Sequence, residues 1–169
     1  MSLPPISRQI VCNSDRIIKI ISGGQTGVDL ASLDVAIELG FKHGGYCPKG
    51  RQSEDGIIPP KYILSETETD DYLERTLRNV QLSDGTLILH KGEIIGGTAS
   101  TEELCFLEKK AVLTVNILDE FAVIQLNFST WLKKNTISIL NIAGPRESET
   151  HMYKKVKKIL MELLSDHIL

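Results

Sequence analysis

The segment Ile-Ile-Lys-Ile-Ile-Ser-Gly-Gly-Gln-Thr-Gly-Val-Asp, at positions 17–29, decides the fold. Its β-branched apolar run is typical of a strand that is buried on both faces. The run stops at Ser22-Gly23-Gly24, where glycine permits a close approach of the backbone to a ligand. An amphipathic pattern over 28–39 then predicts a helix. A strand, a glycine turn and a helix together present unpaired N–H groups and a positive helix end to an anion.

The spacing of this turn differs from the common phosphate-binding motifs. Gly23, Gly24 and Gly27 form Gly-Gly-x-x-Gly, which is neither the dinucleotide Gly-x-Gly-x-x-Gly nor a P-loop, since no Gly-Lys-Ser/Thr follows. The alternative interpretation is a plain strand-to-helix turn whose glycines serve only steric needs. Two further loops of the same kind along the chain favour anion binding.

Composition limits the function classes. The chain has 169 residues, of which 41% are hydrophobic, and this length and balance predict one globular domain over 16–169 behind a loose tail over 1–15. A net charge of −3 argues against broad nucleic-acid binding, although it leaves room for a local basic pocket. Three widely spaced cysteines and the lack of a run of about 20 apolar residues indicate a cytoplasmic protein without a membrane span.

Apolar strand patterns alternate with amphipathic helix patterns along the whole chain. After the first pair, strands are predicted at 41–46, 62–66, 86–90, 111–117 and 136–142, and helices at 70–82, 101–110, 119–134 and 149–165. This alternation predicts an α/β fold with a mainly parallel sheet and helices on both sides. Right-handed crossovers bring the loops after the strands to one edge, which is where such sheets bind ligands.

Two further glycine loops and one polar connection follow predicted strands. The second loop contains Gly96-Gly97-Thr98, and the third contains Gly144-Pro145-Arg146. The connection over 47–60 carries Lys49 and Arg51, which could hold an anion from a separate loop. On that interpretation, Arg51→Ala should weaken binding and leave the stability nearly unchanged. The alternative is a solvated loop in which the two cations pair with Glu54 and Asp55.

The chemistry of these loops suits a phosphorylated heterocycle, such as a nucleotide or a pterin phosphate. The carboxylates available for ring nitrogens, amines or sugar hydroxyls are Asp29, Glu54, Asp55, Glu103 and Glu147. Cys47 precedes two cations and could be a reactive thiolate, but we favour a packing role, because free cysteine is usually buried. The sequence shows no catalytic Ser-His-Asp set and no paired histidine metal ligands.

Several blocks of the chain resemble the molybdenum carrier family. They are Ser-Gly-Gly-Gln-Thr-Gly-Val-Asp at 22–29, Gly-Gly-Tyr-Cys-Pro-Lys-Gly-Arg at 44–51 with Glu54-Asp55-Gly56, Arg75-Thr76 with Asn79-Val80, Ser-Asp-Gly-Thr-Leu-Ile at 83–88, Gly96-Gly97-Thr98, and Asn-Ile-Ala-Gly-Pro-Arg-Glu-Ser at 141–148. The blocks span roughly residues 17–165. The resemblance implies a three-layer Rossmann-like fold and a homo-oligomer, dimeric or tetrameric. It also implies molybdenum cofactor (molybdopterin), or a related phosphorylated anion, as the cargo.

The three loops and these blocks together give one set of candidate ligand-binding positions. They are Gly23, Gly24, Gln25, Thr26, Gly27, Asp29, Lys49, Arg51, Glu54, Asp55, Arg75, Asn79, Gly96, Gly97, Thr98, Gly144, Arg146, Glu147 and Ser148.

A second resemblance points to a different activity. Residues 96–103 have the spacing of the Gly-Gly-x-Gly-Thr-x-x-Glu motif of lysine-decarboxylase-like nucleoside-monophosphate phosphoribohydrolases. Ala99 and Ser100 replace the third glycine and the threonine, whereas Glu103 matches the acid and would be catalytic in a hydrolase. A nucleotide-sensing module without catalysis is a third hypothesis.

Overall fold

A computed structural model describes residues 16–168. The strands are β1 (Lys19–Ile21), β2 (Lys42–Gly44), β3 (Tyr46–Cys47), β4 (Gln52–Ser53), β5 (Gly56–Ile57), β6 (Ser65–Glu66), β7 (Gly85–His90), β8 (Ala111–Asn116) and β9 (Ile139–Ala143). The helices are α1 (Val28–Leu39), α2 (Tyr72–Leu82), α3 (Gly96–Leu107), α4 (Phe121–Asn135), α5 (Glu147–Thr150) and α6 (Tyr153–Ser165). The predicted tail over 1–15 lies outside the described residues.

Five of the strands form one parallel sheet in the order β2-β1-β9-β7-β8. Helix α6 packs against α1 and α4, while α2 packs against α3. Right-handed crossovers that leave the sheet centre in opposite directions place their helices on opposite faces. The predicted three-layer Rossmann-like α/β architecture is therefore confirmed.

Burial explains why the central strands form where they do. Ile20, Leu87 and Leu140 lie in neighbouring strands and are completely buried, so each strand presents apolar side chains to the helical layers. The main core joins these strands to α1, α4 and α6. A smaller cluster of Leu33, Cys47, Ile58 and Tyr62 attaches the 47–64 connection to α1.

Three predicted elements have different bounds in the structure. The helix predicted at 101–110 begins at Gly96, because the glycine pair and Thr98 form its first turn and do not form a preceding loop. The helix predicted at 149–165 is divided into α5 and α6, since His151 adopts a left-handed conformation with φ 51°. The strand predicted at 62–66 is reduced to β6, which pairs with β3 outside the main sheet.

Strand order fixes where the loops meet. The chain leaves β1 toward β2 on one side and leaves β7 toward β8 on the other, with β9 between the two. This is the point at which the direction of the crossovers changes, and α/β sheets bind ligands at such a switch. The loops after β1, β7 and β9 are thus neighbours at one edge.

Candidate functional site

A pocket of about 390 Å³ lies at the carboxyl ends of β1, β9 and β7. Its volume is within the range of roughly 300–1,000 Å³ that is typical of small-molecule sites. It is lined by Gly23, Gln25, Asp29, Asp71, Tyr72, Leu73, Arg75, Thr76, Asn79, Gly97, Thr98, Ser100, Thr101, Asn141, Ala143, Gly144, Pro145, Arg146 and Glu149. All three glycine loops contribute to this lining.

The glycines of the first loop, residues 22–27, are explained by packing within the protein. A Cβ on Gly23 would lie 1.5 Å from Nη1 of Arg75, so the guanidinium occupies the space that a side chain would need. Gly27 has φ 76°, and a Cβ there would lie 2.7 Å from the carbonyl oxygen of Pro145. The steric interpretation of this turn accounts for both positions.

The N–H groups of the first loop already have acceptors in the protein. The N–H of Gln25 donates to the Asp29 carboxylate at 3.2 Å, and the N–H of Thr26 donates to Oε1 of Gln25 at 3.1 Å. At the start of α1, the N–H of Val28 donates to the carbonyl of Pro145 at 3.4 Å. The expectation that this turn offers its donors to an anion is therefore wrong for these three groups.

A buried ion pair forms the floor beneath the first loop. Nη1 of Arg75 donates to the Asp29 carboxylate at 2.8 Å, and the two side chains are 13% and 4% exposed. Burial raises the pKa of Asp29, and the Arg75 guanidinium opposes that rise. The cation that α2 brings to the pocket is thus largely neutralised by the acid of α1.

The second loop differs in that the N–H groups of its Gly97 and Thr98 have no acceptor in the described part of the protein. Gly97 and Thr98 belong to the first turn of α3, whose leading N–H groups have no acceptor inside a helix. Within residues 16–168, no backbone or side-chain acceptor contacts the N–H of either residue. The positive end of a helix of three turns is therefore open to the pocket.

The pocket lining also contains the ring of Tyr72, which lies near two guanidinium groups. Arg146 lies 5.3 Å and Arg75 lies 5.7 Å from the ring centroid of Tyr72. Arg146 also makes a long ion pair of 3.7 Å with Glu149. Because this pair is long and its partners are partly exposed, Arg146 keeps charge available for an anion.

Glu54 connects the first and third loops beside the pocket. Its carboxylate accepts hydrogen bonds from the Thr26 hydroxyl and from the hydroxyl and N–H of Ser148. Burial alone would raise the pKa of Glu54, but the bonds from Ser148 and Thr26 outweigh it and lower the pKa. Glu147 likewise serves the fold, since its carboxylate accepts from the N–H of Tyr153 at 2.8 Å.

Arg51 is placed differently from either sequence hypothesis. Its guanidinium donates to the backbone carbonyls of Ile58, Pro59, Tyr62 and Leu64 at 2.9–3.1 Å. It does not line the pocket, and it pairs with neither Glu54 nor Asp55. These four bonds favour a structural role for Arg51, because they organise the 52–64 connection, and they argue against the expectation that its loss leaves the stability nearly unchanged.

Nine more of the predicted ligand-binding residues also lie outside the pocket lining. They are Gly24, Thr26, Gly27, Lys49, Glu54, Asp55, Gly96, Glu147 and Ser148. The hydrolase candidate Glu103 is exposed on α3 and does not line the pocket either. Cys47 is completely buried, and this burial raises the pKa of its thiol, so the packing interpretation agrees with its position.

Sequence reasoning missed most of the contribution of α2. Asp71, Tyr72 and Thr76 line the pocket with Arg75, because residues three or four apart share one face of a helix. That spacing, centred on Arg75, was the available signal. Asn79 on the same face clamps β3 through both of its amide atoms, at 2.7 and 2.9 Å from the backbone of Tyr46.

The described residues were also searched for metal-binding clusters and for membrane-spanning helices. Between residues 16 and 168, no group of three or more His, Cys, Asp and Glu side chains is arranged to hold a metal ion. Over the same range, no helix has the length and apolar character that crossing a membrane requires.

Comparison with known proteins identifies the family. The family model of the circularly permutated YpsA SLOG family matches residues 20–164. The chain belongs to this family. It is also similar to a crystal structure of a putative molybdenum carrier protein from Syntrophus aciditrophicus SB, with 41% identity and a TM-score of 0.86 over 88% of this chain and 96% of that chain. The resemblance to the molybdenum carrier family is confirmed, and the search of curated proteins found no match.

Proposed function

We propose that this SLOG protein binds a small phosphorylated heterocycle in the pocket at the carboxyl edge of the sheet and acts as a carrier of molybdenum cofactor. The observation that carries the proposal is the open N-terminus of α3, whose Gly97 and Thr98 line the pocket. Metal-bearing pterin phosphate is the cargo in this proposal, held by its phosphate and its ring.

The phosphate binds at the start of α3. The N–H groups of Gly97 and Thr98 donate to its oxygens, and the helix end contributes about 0.3–1 kcal/mol. Arg146 approaches from the third loop and adds a charge-assisted bond of roughly 1.5–3 kcal/mol. Together these groups replace part of the hydration that the anion loses.

The ring of the ligand lies against Tyr72 and Leu73 at the mouth of the pocket. Both side chains are partly exposed, at 37% and 51%. A planar ligand would cover the exposed part of the Tyr72 ring, and aromatic rings pack well against planar groups. The similar protein from Syntrophus aciditrophicus is named as a putative molybdenum carrier, which agrees with a molybdenum-bearing cargo.

The hydrolase alternative is less well supported than the carrier, because of the position of its candidate catalytic acid. Its motif acid, Glu103, is exposed on α3 and lies outside the pocket lining. A general acid or base must come within hydrogen-bond reach of the group it serves. A carrier or sensor needs no such residue.

The test is the identity and quantity of the small molecule that purifies with the protein. Mass spectrometry, pterin fluorescence after oxidation and elemental analysis for molybdenum should reveal a pterin phosphate with its metal. Arg146→Ala should reduce the occupancy about tenfold or more, since about 1.4 kcal/mol is tenfold. Arg78→Ala is the matched control, because Arg78 is exposed on α2 outside the pocket.

Two results would contradict the carrier proposal. One is a protein that carries neither pterin nor molybdenum after expression in cells that make the cofactor. The other is release of free base from a nucleoside monophosphate that Glu103→Gln abolishes, which would establish the hydrolase instead.

A further inference from the structure

Gln25 has one half of its side-chain amide committed to the protein and the other half unpaired. Its Oε1 accepts hydrogen bonds from the N–H of Thr26 at 3.1 Å and of Glu54 at 2.9 Å. Its Nε2 is buried and has no acceptor. The residue as a whole is 5% exposed and belongs to the pocket lining. Two N–H donors on the oxygen fix the amide orientation, because reversing it would oppose donors to donors.

A second unpaired donor belongs to Arg75, which bonds to the same Asp29 carboxylate oxygen as the N–H of Gln25. Nε of Arg75 is buried without an acceptor, while Nη1 of the same side chain is committed to Asp29. A buried donor without a partner costs roughly 1–3 kcal/mol, so two of them beside a pocket indicate that a ligand supplies acceptors. Neither donor belongs to the α3 terminus, which lies at the far side of β9.

The chemistry of ring edges distinguishes the acceptors that would suit these donors. A 6-oxopurine presents two neighbouring acceptors, N7 and O6, whereas a 6-aminopurine presents one acceptor and one donor. Glutamine satisfies both positions of the 6-amino edge only when its oxygen and its nitrogen act together. Here the oxygen is already occupied, so Gln25 can act toward a ligand only as a donor.

We propose that Gln25 determines the specificity of the pocket: its Nε2, with Nε of Arg75, donates to the oxo edge of the ligand ring while the phosphate lies at the start of α3. The ligands selected are 6-oxopurine nucleotides and the 4-oxopterin phosphates that share this oxo group. This inference rests on the proposed function and adds the chemical class of the ring. The two ends are separated by β9, which places β1 and β7 two strand spacings, about 9–10 Å, apart.

The test compares two probes that differ at one ring position. Inosine 5′-monophosphate and adenosine 5′-monophosphate are titrated into ligand-free wild-type protein in a calorimeter. The oxo nucleotide should bind at least tenfold more tightly. Gln25→Glu should reverse the preference, because a carboxylate in place of the amide nitrogen accepts from an amino group and repels an oxo group. A melting curve verifies that the variant folds.

The control and the contradicting outcomes separate this inference from the proposal on which it rests. Gln125→Glu makes the same change on the exposed face of α4 and should leave both affinities unaltered. Equal binding of the two nucleotides by the wild type, tighter binding of the amino nucleotide, or binding of neither would overturn the inference. Pterin and molybdenum co-purification judges the carrier proposal independently of these titrations.

Discussion

The first and second glycine loops lie on either side of β9, and they use glycine for different reasons. In the first loop, a Cβ on Gly23 or Gly27 would collide with Arg75 or with the backbone of the third loop. In the second loop, a Cβ on Gly97 would meet no atom within 4 Å beyond its chain neighbours and the backbone of its own helix. The first loop is therefore filled by the protein itself, and the second is open to a ligand.

The two loops therefore have different roles in the pocket: the first stabilises its structure, and the second is available to bind a ligand. The N–H groups of the first loop donate to Asp29, to Gln25 and to the third loop. The bond to Oε1 of Gln25 helps to hold the amide of that side chain in one orientation. The second loop leaves the start of α3 exposed to the pocket. Substitutions in the first loop should therefore change stability, whereas those in the second should change binding.

Gly27→Val gives the largest expected effect. Gly27 has φ 76° and ψ −122°, a region that side-chain-bearing residues avoid, and its Cβ would clash with the backbone of Pro145 and Glu147. Strain and overpacking together should lower the free energy of unfolding by about 3–5 kcal/mol. Urea unfolding measures this loss. A loss below about 1 kcal/mol would show that the third loop does not pack tightly on the first.

Arg51→Ala should be the next most damaging change, although Arg51 does not line the pocket. Its guanidinium bonds hold the connection whose Ile58 and Leu64 side chains pack against Gly24 of the first loop. We expect a loss of about 2–3 kcal/mol, since hydrogen bonds to a charged group are worth roughly 1.5–3 kcal/mol and several are removed. Urea unfolding of Arg51→Ala beside Lys49→Ala provides the matched comparison, and equal stabilities would contradict the structural role.

Glu54→Gln should have a smaller effect that depends on pH. The pKa of Glu54 in the folded protein lies below its ordinary value of 4.5, so the stabilisation is present above pH 4.5 and is lost as pH falls through the lowered pKa. The difference in stability between wild type and variant should thus be greatest near neutral pH and shrink below pH 4.5. Melting curves from pH 3 to 7 measure it, with Asp55→Asn as the neighbouring control. If the difference in stability between wild type and variant did not change with pH, the ionised Glu54 carboxylate would not be stabilising the first loop.

Gly97→Ala should change stability least of all. Its φ is not left-handed and its Cβ enters open space, so the free energy of unfolding should stay within about 0.5 kcal/mol of wild type. Binding of inosine 5′-monophosphate should nevertheless fall, because the methyl group projects into the pocket where the phosphate approaches. Calorimetry and a melting curve on the same sample measure both quantities. Unchanged binding would place the anion away from α3 and remove the contrast between the loops.

The sequence alone was sufficient for the sheet and for the meeting of the loops. Buried runs such as 17–21 and 86–90 have the length and β-branching of central strands, and the helices between them require parallel pairing. Parallel pairing places the ends of β1, β7 and β9 together, whichever side chains follow them. Gly23, Gly97 and Arg146 were therefore predicted at a common pocket, and the structure places all three in its lining.

Only the tertiary structure decided which of these residues serve the protein and which remain available to a ligand. Arg51 and Arg146 are identical in chemistry and both follow strands, yet Arg51 is enclosed by four carbonyls of a folded connection while Arg146 stands beside Tyr72 at the pocket. Gly23 and Gly97 likewise differ in what surrounds them. Local patterns specify backbone conformation and position, but a donor's partner depends on which distant segment packs against it, and that is fixed by the completed fold.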